Sequence, residues 1–200
     1  MPRPAGRAEV GSFADHAAEN LQFIRHTMER SATFSAVPGL GGALMGGVGL
    51  LAAIVASQQP TAERWLLAWL GSAVIALVTG VLMMRRKAAR VGAPLTGAVG
   101  RRFALSLAAP LIAGAALTYG LWIHGVWALM PAVWLLLYGT GVLTGGAFSV
   151  APMRVLGLTF MGLGAAALLT PPSWGNVWLA IGFGALQVGF GIYIARRHGG

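Results

Sequence analysis

The sequence predicts an all-α membrane protein, a polytopic bundle of six transmembrane helices in three hairpins preceded by an amphipathic N-terminal helix. Of its 200 residues, 56% are hydrophobic and only 10% are charged, and the mean hydropathy is +0.72. A soluble globule of this length needs more polar residues to cover its surface, so we expect the chain to lie in a bilayer. The basic residues are concentrated between long apolar segments, which is typical of residues that orient membrane helices.

The first 32 residues lack the long apolar runs found later in the chain. Residues 1–11, which are rich in Pro and Arg, are predicted to form a flexible tail. Residues 12–32 are predicted to form a cytoplasmic or interfacial amphipathic helix, because apolar residues recur there at helical spacing. These residues are Phe13, Ala17, Leu21, Ile24 and Met28. The opposite face carries charges of both signs, which favours packing or docking over binding to a lipid surface.

Two apolar regions are predicted to form the hairpins: residues 33–84 form the first, and residues 103–200 form the second and third. Each region divides into runs long enough to cross a hydrocarbon core of about 30 Å. The predicted spans are residues 36–57, 63–84, 103–123, 127–145, 150–170 and 175–195.

Residues 85–102 form a basic linker between the first hairpin and the others, and they predict the orientation of the chain. Its basic residues are Arg85, Arg86, Lys87, Arg90, Arg101 and Arg102. In the predicted topology, thirteen of the fourteen basic residues fall on one side and only Arg64 falls on the other. Because short loops rich in Lys and Arg stay in the cytoplasm, both termini are predicted to be cytoplasmic, in a bacterial inner membrane.

All seven tryptophans fall in the halves of the helices that are nearest the other, outer face. They are Trp65, Trp69, Trp122, Trp127, Trp134, Trp174 and Trp178. Tryptophan favours the headgroup level, so the first interpretation is an anchoring belt in the outer leaflet. The alternative is an aromatic-walled pocket that opens outward for an apolar ligand.

The chain contains 30 glycines, which let membrane helices approach closely. Residues predicted to lie at helix contacts are Gly42, Gly46, Gly141, Gly145, Gly182, Gly189 and Gln187. The Gln187 amide needs hydrogen-bond partners in hydrocarbon, so an interhelical hydrogen bond is expected there. Gly139, Gly141, Leu143 and Gly146 have the same spacing as Gly182, Gly184, Leu186 and Gly189. This match raises the hypothesis that hairpins two and three are related by duplication.

The sequence lacks recognised catalytic and metal-binding patterns. It has no cysteine, no predicted span carries an acidic or basic residue at its middle, and the four histidines lack the spacing of metal or haem ligands. We therefore predict a protein that is not an enzyme and that needs no cofactor or metal. Nucleic acid is not expected as a partner, since no known nucleic-acid-binding motif occurs.

Residues 24–42, with Met28-Glu29-Arg30 before the first span, and residues 182–200, with Arg196-Arg197 near the end, carry a family resemblance. In these segments the chain resembles a family of small bacterial six-helix membrane proteins with an Ile-Arg-x-Thr-Met-Glu-Arg segment before the first span. The resemblance covers nearly the whole length and implies no established activity. Family members often have His where this chain has Gln187, and this departure argues against a metal or proton role there.

Three functional hypotheses remain open at this stage. In the leading hypothesis, the protein is a structural, accessory or regulatory component whose cytoplasmic face docks a protein partner or a copy of itself, with membrane lipids as further contacts. The candidate contact residues are Arg25, Met28, Glu29, Arg30, Arg85, Arg86, Lys87, Arg90, Arg101, Arg102, Arg196 and Arg197. The alternatives are a carrier or channel for a small neutral or apolar molecule, and an accessory subunit of a membrane redox or pigment complex.

Overall fold

Helices make up most of the described chain. The computed structural model describes residues 20–21, 37–92 and 95–198, with side chains for all of these except Val91 and His198. The long helices are α1 (Gly39–Ser57), α2 (Ala62–Val91), α3 (Ala98–Ile123), α4 (Met130–Gly146), α5 (Ala151–Leu169) and α6 (residues 175–198). Short 3-10 turns, Trp127–Leu129 and Pro172–Trp174, precede α4 and α6. Within the described residues, six helices are long and apolar enough to cross a membrane, which confirms the predicted all-α class and the predicted number of helices of this length and composition.

The N-terminal predictions fall almost entirely outside the described residues. Of the predicted tail (1–11) and amphipathic helix (12–32), only Asn20 and Leu21 are described, and both are helical and exposed. The candidate contacts Arg25, Met28, Glu29 and Arg30 lie outside the described residues.

Local sequence explains where α2 begins and ends. The Thr61 hydroxyl oxygen accepts a hydrogen bond from the Arg64 backbone N–H at 3.3 Å, which caps the first turn. At the other end Gly92 adopts a left-handed conformation with φ of 62°, and glycine does this without a steric penalty. The helix therefore continues through the first part of the basic segment, and residues 92–97 connect α2 to α3.

The sixth helix contains a change of helix type. It consists of an α segment (Gly175–Leu179), a π segment (Ala180–Leu186) and a second α segment (Gln187–His198). In globular and membrane proteins such π segments are rare and occur frequently at functional sites.

The helices pack as two groups joined by α6. Helix α1 packs between α2 and α6, α4 packs between α3 and α5, and α6 also contacts α4 and α5. Glycine allows the closest approaches: a Cβ on Gly39 or Gly49 of α1 would overlap the backbone of α6, and one on Gly157 would lie 2.5 Å from the Leu143 nitrogen of α4. These helices therefore meet backbone to backbone, as small residues permit in membrane proteins.

The predicted packing glycines do not share one environment. A Cβ on Gly46 would lie 2.6 Å from the Val188 nitrogen, whereas Gly42 approaches α6 less closely. Gly141 and Gly145 face side chains of α3, and Gly182 faces Leu135 of α4 and Phe160 of α5. Gly189 is exposed, and within the described residues no atom lies within 4 Å of where its Cβ would be.

The contacts also show which helix ends lie together. The Lys87 Nζ donates to the Val37 carbonyl oxygen at 2.9 Å, joining the end of α2 to the start of α1. Gly39 lies against Ala195 near the end of α6, and Gly145 of α4 lies against Phe103 at the start of α3. We call this the basic end of the bundle. The opposite end, where Trp65 and its neighbours lie, is the tryptophan end.

Candidate functional site

Among the described residues, eight exposed arginines lie at the basic end. They are Arg85, Arg86, Arg90, Arg101, Arg102, Arg154, Arg196 and Arg197, from α2, α3, α5 and α6. Among the described residues Glu63 is the only acidic one, and it lies beside Arg64 at the tryptophan end. Within the described part of the chain, the basic end is therefore a positively charged surface with no acidic side chain beside it.

Lys87 occupies a different position from these arginines. Its side chain is only 5% exposed, and its ammonium group donates to the Val37 carbonyl. Lys87 therefore holds the end of α2 against the segment that enters α1. A cluster of basic residues in a sequence does not reveal which member is buried, since that depends on the neighbouring helix.

At the tryptophan end, one amide links three helices. The Asn176 Oδ1 accepts hydrogen bonds from the indole N–H groups of Trp65 at 3.3 Å and Trp69 at 3.0 Å. The Asn176 Nδ2 donates to the Ala53 carbonyl at 2.9 Å. Asn176 of α6 thus ties α1 to α2. No role was predicted for Asn176 from the sequence. Its amide lies beside a long apolar run, which is the same feature that predicts an interhelical hydrogen bond for Gln187.

Other tryptophans at this end also make contacts within the bundle. Trp65 of α2 stacks on Trp134 of α4, with ring centroids 5.6 Å apart and planes 5° from parallel. The indole N–H groups of Trp134 and Trp178 donate to the hydroxyls of Thr118 and Thr170, each at 2.8 Å. Trp122 and Trp174, by contrast, are largely exposed. Four of the seven tryptophans therefore use their N–H groups to join parts of the bundle.

A polar pair lies at the middle of the bundle. The Gln187 Nε2 of α6 donates to the Tyr138 hydroxyl of α4 at 3.0 Å. Gln187 is 7% exposed, and within the described residues its Oε1 is buried without a hydrogen-bond partner. A buried amide oxygen without a partner is unfavourable, and the cost rises in apolar surroundings.

Three aromatic rings fix the position of this pair. The Tyr138 ring meets Phe160 of α5 at 4.8 Å and Phe183 of α6 at 5.0 Å, both edge to face. Phe160 and Phe183 also contact each other at 5.3 Å. Phe183 belongs to the π segment, which ends directly before Gln187. The π segment therefore supplies the Phe183 ring and leads directly into the residue that carries the amide.

A cavity of about 130 Å³ adjoins the polar pair on the side of the basic end. All six helices line it, and apart from Tyr138 and Gln187 the lining side chains are apolar. Three of them are the methionines Met45, Met84 and Met153. In the part of the chain that the structure describes, no three His, Asp or Glu side chains come together in a way that could hold a metal ion.

No protein-family model, curated protein or solved structure matches this chain. The family resemblance carried by residues 24–42 and 182–200 therefore stays a prediction. Function is inferred from the residues at the basic end and at the middle of the bundle.

Proposed function

We propose that this chain is a non-enzymatic integral membrane protein whose cytoplasmic face docks a protein partner or a second copy of itself. The observation that supports this proposal is the set of eight exposed arginines at the basic end. Guanidinium groups bind carboxylates through two parallel hydrogen bonds. The partner surface is therefore expected to be acidic.

The proposal includes a topology. The basic end faces the cytoplasm of a bacterial inner membrane, both termini lie there, and the six spans form three hairpins. We also propose that the amphipathic helix predicted for residues 12–32 contributes Arg25, Met28, Glu29 and Arg30 to docking of the partner. In this proposal its acidic residues pair with basic groups of the partner.

Topology and lipid attraction alone account for part of this positive charge. Anionic lipids attract each basic residue near the surface by about 1 kcal/mol, and lysine serves this purpose as well as arginine. The docking proposal predicts, in addition, that partner binding depends on the planar geometry of the guanidinium group, which the point charge of lysine does not reproduce.

Charge-conserving variants test this difference. Replacing Arg101, Arg102, Arg196 and Arg197 by lysine keeps the net charge, the topology and the lipid attraction, but removes the bidentate hydrogen bonds. We expect crosslinking to the partner, or between copies, to fall about tenfold or more, because lysine cannot form the bidentate hydrogen bonds; a tenfold loss of affinity corresponds to about 1.4 kcal/mol. The matched control is Arg64→Lys at the tryptophan end, which should leave crosslinking unchanged.

The measurement is crosslinking in native membranes followed by gentle solubilisation and mass spectrometry. Equal crosslinking in the four-lysine variant and the unaltered protein would refute docking through guanidinium groups. A second variant lacking residues 1–32 tests the contribution of the predicted amphipathic helix, and complexes that co-purify unchanged would remove that helix from the docking face.

A carrier for a small neutral or apolar molecule is the second candidate. It is supported by the cavity that all six helices line. Transport also requires a path through the tryptophan end, where Asn176 and the stacked pair of Trp65 and Trp134 join the helices. Flux of small neutral solutes into proteoliposomes, compared with protein-free liposomes, tests this candidate, and equal flux would refute it.

A further inference from the structure

The buried amide of Gln187 has a hydrogen-bonding capacity that the described residues do not use. Its Nε2 donates to the Tyr138 hydroxyl, while its Oε1 has no partner among those residues. Turning the amide by 180° does not solve the problem: the oxygen would then accept from Tyr138, and the NH₂ group would lose its partner. One end of this amide is therefore unpaired in either orientation.

The volume of the adjoining cavity is close to that of cavities that bind a small ring compound. Its volume is about 130 Å³, and apolar protein cavities of roughly 150 Å³ bind benzene. Methionine side chains form part of the wall, and they adapt to ligands of different shape because they are flexible and polarisable. A charged ligand is excluded by the apolar lining, since burying an unpaired charge there is very unfavourable.

The packing of the described helices indicates where a ligand could reach the cavity. Leu77 and Val81 of α2 line it, as do Phe103 and Leu107 of α3. Yet α2 packs on α1 and α3 packs on α4, and the described residues of α2 and α3 make few contacts with each other. Among the described residues α2 and α3 are therefore not packed on each other along this side of the cavity, and we infer that a molecule dissolved in the membrane enters between them.

A hydroxyl is the ligand group that matches the polar pair. It can donate to the Gln187 oxygen and accept from the Tyr138 hydroxyl at the same time. The oxygen itself is buried, so a ligand reaches it after the amide rotates about the Cγ–Cδ bond, a terminal torsion with a broad range. A hydrocarbon of the same size fills the cavity but leaves the amide unpaired.

We propose that the cavity lined by all six helices is a binding site for a small apolar molecule that carries one hydroxyl group, of about the size of phenol. Gln187 and Tyr138 bind the hydroxyl, and the apolar walls bind the ring. This site goes beyond the proposed docking function and does not depend on it, because binding is measured on the purified protein without a partner.

The probes are 4-fluorophenol and fluorobenzene, which differ by the hydroxyl group alone. Binding is measured by ¹⁹F NMR on the full-length protein in lipid nanodiscs, with empty nanodiscs of the same lipid as the reference for partitioning. We expect a saturable signal from 4-fluorophenol with an affinity about tenfold higher than that of fluorobenzene, the difference expected for one hydrogen bond to a buried group.

Substitutions locate the site. Gln187→Met keeps the length of the side chain and removes the amide. The affinity of the protein for 4-fluorophenol should therefore fall to its affinity for fluorobenzene. The control Thr159→Val, which removes an exposed hydroxyl bonded to its own helix, should retain the preference. Val81→Phe fills the cavity from α2 and should abolish saturable binding of both probes, which tests the site independently if Gln187→Met fails to fold.

Three results would overturn the proposal. One is the lack of any saturable signal in the unaltered protein. Another is equal affinity for the two probes, which would leave a cavity without a role for the amide. The last is a preference for 4-fluorophenol that survives Gln187→Met or is insensitive to Val81→Phe, which would place binding elsewhere on the protein.

Discussion

Two neighbouring glycines of α1 offer a matched test of the packing between α1 and α6. A Cβ on Gly46 would lie 2.6 Å from the Val188 nitrogen and 2.9 Å from the Gly184 oxygen. A Cβ on Gly47, one residue further along the same helix, would have no neighbouring atom within 4 Å among the described residues. We therefore predict that Gly46→Ala destabilises the bundle and that Gly47→Ala does not.

The magnitude follows from the geometry. Ordinary van der Waals contact begins near 3.4 Å, so α6 must move away from a Cβ on Gly46 by about 0.8 Å. Two of the three nearest atoms, the Val188 nitrogen and the Gly184 oxygen, belong to the backbone and cannot rotate aside, and the third is the Val188 Cγ2 at 2.7 Å. Overpacking of this kind costs about 1–3 kcal/mol. Both variants replace glycine by alanine in one helix, so the gain in helix propensity, at most about 1 kcal/mol, cancels in their difference.

The assay is reversible unfolding by SDS in mixed micelles, followed by circular dichroism. The free energy of unfolding of Gly46→Ala should lie about 1–3 kcal/mol below that of Gly47→Ala. A difference smaller than about 0.5 kcal/mol, the usual range for substitutions that disturb no contact, would show that α1 and α6 do not meet backbone to backbone at Gly46.

Two further predictions concern the tryptophan end and the topology. Asn176→Ala removes the acceptor of two indole N–H groups and the donor to the Ala53 carbonyl. We therefore expect the free energy of unfolding in the same SDS assay to fall by about 2–4 kcal/mol. Thr159→Val is the control, and a similar small change in both variants would contradict the role of Asn176. The chain has no cysteine, so single cysteines can report sidedness: a membrane-impermeant thiol reagent should label Gln58→Cys from outside the cell and Ala89→Cys only after lysis, and the reverse pattern would refute the proposed orientation.

The number of helices was predictable because bilayer thickness sets a minimum length of apolar sequence. The end of α2 was not predictable from hydropathy. The predicted span ends at residue 84, where the charges begin, whereas the helix continues to Val91. Hydropathy reports the membrane boundary, but a helix ends only where the backbone conformation changes, and here that is Gly92.

Contacts that depend on the order of the helices could not be predicted. The spacing of small residues marked Gly46 and Gly189 equally, yet only Gly46 lies against a neighbouring backbone. The burial of Lys87 depends on the position of Val37, fifty residues away. The π segment was not predicted, since its glycines at 182 and 184 are compatible with an ordinary α-helix as well.

The two amides of α6 show why Gln187, and not Asn176, marks a binding site. They are the same chemical group on the same helix, and both bond to other helices. Asn176 uses both ends of its amide, accepting two indole N–H groups and donating to a carbonyl. Gln187 uses one end, beside the cavity that all six helices line. The arrangement at Asn176 satisfies a structural role completely, whereas the Gln187 oxygen is buried at a cost in free energy, and a ligand hydroxyl that completes its hydrogen bonds would remove that cost.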